Sequence, residues 1–249
     1  MDINRANRKV ADVLIQDMKN KMLYIDFKTA NTTTTNISAD STYARADGSN
    51  RIAFPNAPEG TLTIEAQVYP FKIYALLSDG KIDKEAIYGE TQTIKATTEG
   101  EITITVPTTG TIQAGTVFVY PVDSAGDETT MIKGTYATGK FSATSTSDIV
   151  VDKEYAVSYI INRTGVKKVS FNSKRAPKDY FITMSTLDKD EDGVLVPFKQ
   201  TFYKATPQRN FELSLSSDGD PASFSVTFDL LEDKDGNFID MIEIPDDGE

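Results

Sequence analysis

Strict two-residue alternation of apolar and polar positions recurs along this chain and predicts strands with one covered face and one wetted face. Thr61-Leu62-Thr63-Ile64-Glu65-Ala66-Gln67-Val68 alternates without a fault. The same period runs through residues 101–106, 211–216 and 222–230, and in the last of these Phe224, Val226, Phe228 and Leu230 share a face. Shorter runs rich in β-branched and aromatic residues cover 22–27, 116–120, 155–161, 166–171 and 180–186. Between them fall Asp47-Gly48, Asp79-Gly80, Glu99-Gly100, Thr109-Gly110, Asp192-Gly193, Asp218-Gly219 and Asp235-Gly236. Such pairs make tight turns, so hairpins are the expected connections.

One segment breaks the period. Pro70 stands where a helix would start, apolar residues through Leu77 are spaced three and four apart, and Gly80 closes the run. This predicts a short buried helix at about residues 70–79. Residues 10–21 fit a helix, through Val10, Val13, Leu14 and Met18, or a strand over 10–15. A strand is preferred there, with a turn over 17–21 leading into the strand at Met22. The polar stretch 36–54 reads as an extended loop or a protruding hairpin, and 124–130 and 143–152 read as further loops. No repeat, heptad or composition break divides the chain. The expected architecture is therefore one domain over residues 1–249, mainly β, an antiparallel sandwich or barrel-like fold with one short flanking helix.

Composition removes most familiar chemistry. The 249 residues include no His, Cys or Trp. There is thus no Ser-His-Asp or Cys-His relay, no imidazole or thiolate metal site, and no disulfide. The net charge of −11 disfavours sequence-reading contact with nucleic acid, which needs a basic surface to neutralise phosphates. The same charge suits a wall past which a polyanion must slide. Residues 1–21 carry charges throughout and lack the apolar run of a signal peptide, and no stretch is apolar for long enough to span a bilayer. The expectation is a soluble protein of the cytoplasm, in which the Asn-x-Thr/Ser matches at Asn31, Asn36 and Asn162 are coincidences of a Thr-rich chain.

Few constellations carry chemistry. Asp188, Asp190 and Asp192, followed by Gly193, match the first half of a calcium loop, but Lys199 stands where the closing Glu belongs and the flanks read as strands. A solvated hairpin turn is the competing reading, and the weaker run 232–237 is of the same kind. Ser78 and Lys81 have Ser-x-x-Lys spacing but fall at the end of the expected helix, where acyl transfer needs them at its start. No Gly-rich phosphate loop follows a strand, so no cofactor is expected. No titratable group stands out as a catalyst, and no enzyme is expected.

Three blocks together carry a resemblance to a known family. The first is Val10-Ala11-Asp12-Val13-Leu14-Ile15-Gln16-Asp17, leading through a Lys-rich turn to Leu23-Tyr24-Ile25-Asp26. The second is Thr42-Tyr43-Ala44-Arg45-Ala46-Asp47-Gly48-Ser49-Asn50-Arg51-Ile52-Ala53-Phe54, then the strand from Thr61 and the helix ending at Gly80. The third is the alternating run 211–216, the turn 218–221 and Phe224 to Leu231. In this order the chain resembles the tail tube (major tail) proteins of tailed bacteriophages, with residues 109–152 as a less familiar elaboration expected on the outer surface.

The resemblance implies a subunit that assembles six to a ring, with rings stacked into a hollow tube that conducts DNA to the host. It implies a virion component built in the host cytoplasm around a tape measure protein, with initiator (baseplate) and tail terminator proteins at the ends and a sheath if the tail contracts. DNA would pass through unread. Tyr43, Arg45, Asp47 and Arg51 of the 36–54 stretch become candidates for ring stacking, since Tyr and Arg favour interface hot spots. Thr61, Thr63, Glu65 and Gln67 become candidates for the lumen wall. Two alternatives stand beside this reading: a capsid decoration or other tail structural protein, and a monomeric β-sandwich binding or adhesion module.

Overall fold

The computed structural model describes residues 4–210, 221 and 223–244, so the alternating run 211–216 and the turn at 218–219 lie outside the described residues. The chain begins with β1 (Arg5–Asn7), β2 (Asp12–Asp17), β3 (Leu23–Phe27), β4 (Thr32–Ser38), β5 (Ser41–Ala46), β6 (Ser49–Pro55), β7 (Glu59–Ala66) and helix α1 (Lys72–Leu76). It continues with β8 (Asp83–Lys95), β9 (Glu101–Thr103), β10 (Gly110–Ile112), β11 (Phe118–Pro121), β12 (Gly134–Ala137), β13 (Lys140–Ala143) and β14 (Glu154–Lys168). It closes with β15 (Tyr180–Asp190), β16 (Leu195–Pro207), β17 (Phe224–Leu231) and β18 (Ile239–Glu243). The fold is mainly β, every strand pair among the described residues is antiparallel, and the sheets are consistent with a β-sandwich.

The helix forms where expected and is shorter. It buries Ile73, Ala75 and Leu76 and stops when the Gly80 amide, at φ 75°, bonds back to the Ala75 carbonyl at 2.8 Å. A glycine in the left-handed region satisfies an orphan helical carbonyl in this way. Ser78 is buried and donates its hydroxyl to the Ser170 carbonyl at 2.5 Å. The bond ties the helix end to the segment that follows unit 2.

The chain divides into two compact units. Unit 1 combines the stretches before residue 82 and after residue 169; unit 2 is residues 82–169. In unit 1 the sheet runs β3-β2-β15-β16-β17-β7-β4, with β1 added to β15 and β18 to β16. The alternation read from the sequence sets its core. Phe228 pairs with Leu62 and Val226 with Ile64, and all four side chains are buried with Val13, Ile15 and Phe202. The sheet curls: Thr35 on β4 donates to Gln200 Oε1 on β16 at 3.3 Å, although β17 and β7 lie between those strands in the sheet.

Unit 2 is an insertion whose two ends meet, since Asp83 pairs with Lys168 across β8 and β14 and the two side chains form an ion pair at 3.4 Å. One sheet places β14 between β8 and the strands β10 and β11, and a second sheet runs β12-β13-β9. Its separate core includes Ile102, Phe141, Val157, Tyr159 and Ile161. The elaboration expected over 109–152 falls inside this unit.

Three tyrosines of unit 1 make a pH-dependent contribution. Burial raises the hydroxyls of Tyr180 and Tyr24 above the usual tyrosine value. Burial, followed by the hydrogen bond with Tyr69, pushes Tyr74 up to about 12. A raised tyrosine contributes stability that is complete below its unfolded value of about 10 and is lost as pH rises through the folded value. Unit 1 is therefore expected to hold at pH 9 and to lose structure in step with late tyrosinate formation at higher pH, read by paired absorbance and circular dichroism titrations. Tyr180→Phe should move that onset upward. An onset unchanged in the variant would show that Tyr180 is not one of the groups responsible.

Candidate assembly surfaces

The polar stretch 36–54 is regular structure. β4 and β7 pair from Thr32 opposite Glu65 to Ser38 opposite Glu59, and after a short irregular step β5 and β6 continue the same ribbon from Ser41 opposite Pro55 to Ala46 opposite Ser49. Asp47 and Gly48 form the two-residue turn, both with positive φ, at 54° and 76°. Asp-Gly suits this turn because its twist matches that of the strands it joins. The ribbon thus leaves the unit 1 sheet as an arm whose distal pair, β5 and β6, joins no other sheet among the described residues. At about 3.3 Å per residue the arm extends on the order of 20 Å beyond the β4–β7 pairing.

The arm's two faces differ. Register places Tyr43 opposite Ala53 and Arg45 opposite Asn50 on one face, and Ala44 opposite Ile52 and Thr42 opposite Phe54 on the other. Arg45 Nε donates to Asn50 Oδ1 at 3.0 Å, and Arg51 pairs with Asp47 at 3.9 Å. Two of the expected anchors are therefore already engaged within the arm, Arg51 through an exposed pair of the kind that contributes little. Ile52 and Phe54 are 58% and 55% exposed. An isolated two-stranded hairpin is marginal in water, so this bare apolar face has the character of an interface. Residue type alone points to Tyr and Arg, whereas the two-residue spacing of Ile52 and Phe54 is the sequence signal that marks this face.

Thr61, Thr63 and Glu65 lie on the face of β7 turned away from the core, and Gln67 follows just past the strand end. Their direct partners are Asn36, Thr34 and Thr32 on β4 and Asp229, Thr227 and Ser225 on β17. Cross-strand partners share a face, so these strands present a continuous patch of hydroxyls, amides and carboxylates without a single Lys or Arg. Thr63 and Thr227 join hydroxyls at 3.0 Å across it.

Among the described residues the outer strands β3 and β4 each pair on one edge only. On the inner side of the curl an open groove of about 580 Å³ lies between β4 and the β15–β16 pair, lined by Thr33, Thr35, Thr186 and Gln200 over Met184 and Phe198, with Arg8 and Lys9 beside it. Interior positions along β15 pass from Met184 to Thr186 and Asp188, so the core grades into a polar mouth.

The acidic run at 188–192 joins β15 to β16. Asp188 accepts from Asn7 Nδ2 at 2.8 Å, and Asp190 Oδ1 caps its own turn through the Val194 amide at 2.7 Å. Among the described residues no group of three or more carboxylates gathers as a metal would require, and no helix is long and apolar enough to cross a membrane. The sequence model of the YomU/Tube protein family matches residues 8–244. No curated protein matches the chain.

Proposed function

The chain belongs to the YomU/Tube protein family, a family of phage tail tube proteins, and from that premise we propose that it polymerises as stacked hexameric rings into a hollow tail tube through which DNA reaches the host. The observation that carries this reading is the arm, a hairpin with a bare apolar face that pairs with no other strand among the described residues. The open edges of β3 and β4 support it further. Pairing one copy's β3 edge with the next copy's β4 edge would remove both liabilities around a closed ring. The cation-free patch around Thr61, Thr63 and Glu65 is the face proposed for the lumen, because a wall without Lys or Arg offers phosphates nothing to hold.

On this reading the protein is structural and belongs to the virion tail. The tape measure, initiator and terminator proteins would set length and ends, and a sheath would surround the tube only in a contractile tail. Negative-stain electron microscopy across concentration and salt tests the proposal: rings or hollow tubes of uniform width are expected. A monomer that persists at high concentration, even with a tail initiator complex added, would overturn it in favour of a binding module.

A further inference from the structure

The arm and the groove lie at opposite ends of one strand. The groove borders the first half of β4, at Thr32, Thr33 and Thr35, and the arm departs after the strand's last residue, Ser38. From this placement we infer that the arm tip of one copy, the turn Ala46-Asp47-Gly48-Ser49, inserts into the β4 groove of the copy in the next ring. The inference rests on the tube reading and names the surface that receives the arm.

Three features favour this occupant. First, projection and receptor at opposite ends of one ribbon make a heterologous contact, and when repeated by translation such a contact propagates without closing. Second, the tip is small and polar, and above the apolar floor of Met184 and Phe198 the groove offers hydroxyls and an amide from Thr33, Thr35, Thr186 and Gln200. Third, Asp47 stands almost fully exposed at the tip, with a side chain 93% accessible and only a loose 3.9 Å pair to Arg51, so it can turn to Arg8 or Lys9, which stand exposed beside the groove. The one carboxylate lining the groove, Asp188, is engaged by Asn7.

The chain has no cysteine, which makes the test clean. Ser49→Cys with Thr33→Cys, oxidised after polymerisation, should give a ladder of disulfide-linked multimers on a non-reducing gel, and neither single variant should. Lys9→Glu or Asp47→Lys alone should raise the critical concentration for tubes about tenfold, and the two together should restore most of it. Wild-type tubes with neither ladder nor charge-swap rescue would overturn the groove assignment and leave the tube reading standing. Failure of the wild-type chain to polymerise at all would overturn both.

Discussion

Phe228→Ala is expected to lower the stability of unit 1 by about 3–5 kcal/mol and to leave unit 2 folded. Phe228 has no exposed surface and packs among Leu62, Val226 and Phe202, none of which belongs to the second core. Truncating it removes buried carbon and leaves a cavity that neighbours anchored in several strands cannot collapse to fill. A loss of this size is a large share of the total for an ordinary domain. Phe141→Ala should do the converse, weakening unit 2 around Val157, Tyr159 and Ile161. Calorimetry of unassembled protein should resolve two transitions, one shifted by each variant. A single transition moved equally by both would mean that the two cores melt as one.

The topology gives this expectation its basis. Unit 2 leaves and rejoins unit 1 at residues that pair with each other, Asp83 with Lys168. Insertions that begin and end at one place leave the host chain's path undisturbed. The arm, the groove, the patch around Thr63 and the edges of β3 and β4 all belong to unit 1. On the proposed function, replacing 82–169 by a short Gly-Ser bridge should therefore keep polymerisation intact.

Sequence legibility follows burial. β7 and β17 were readable because each is half buried in the middle of a sheet, so their side chains must alternate. The turn at Asp47-Gly48 was readable because few residue pairs tolerate two positive φ values. β8 was not readable: it is an edge strand covered only in part, and Ile87 on its outward side, 62% exposed, breaks the pattern. β16 carries Pro197 and mixes aromatic with polar residues on both faces, since it pairs with β15, β17 and β18 over different parts of its length. The second core left no composition boundary, because unit 2 is built from the same Thr-rich strand vocabulary as unit 1. On the arm, side-chain type suggested the anchors, but register decides which side chains are free, and Arg45 and Arg51 are occupied.

That distinction leads to the largest expected effect on assembly. Ile52→Asp and Phe54→Asp should each raise the critical concentration for tube formation by roughly two orders of magnitude, and the pair should abolish tubes at any practical concentration. Covering one such side chain at an interface is worth about 1.5–3 kcal/mol, a carboxylate in its place must be desolvated without a partner, and each 1.4 kcal/mol is tenfold in concentration. Folding should be untouched, because the residues replaced are already more than half in water and substitutions at such places usually move stability by less than about 0.5 kcal/mol. Arg45→Ala, by contrast, loses only a bond within the arm and should shift assembly several-fold at most. Sedimentation of polymer against subunit concentration, with the melting profile of each variant beside it, separates the cases. If Arg45→Ala proved as damaging as Phe54→Asp, the Tyr43–Arg45 face would be the one that meets the neighbouring ring, and the apolar face would be bare for another reason.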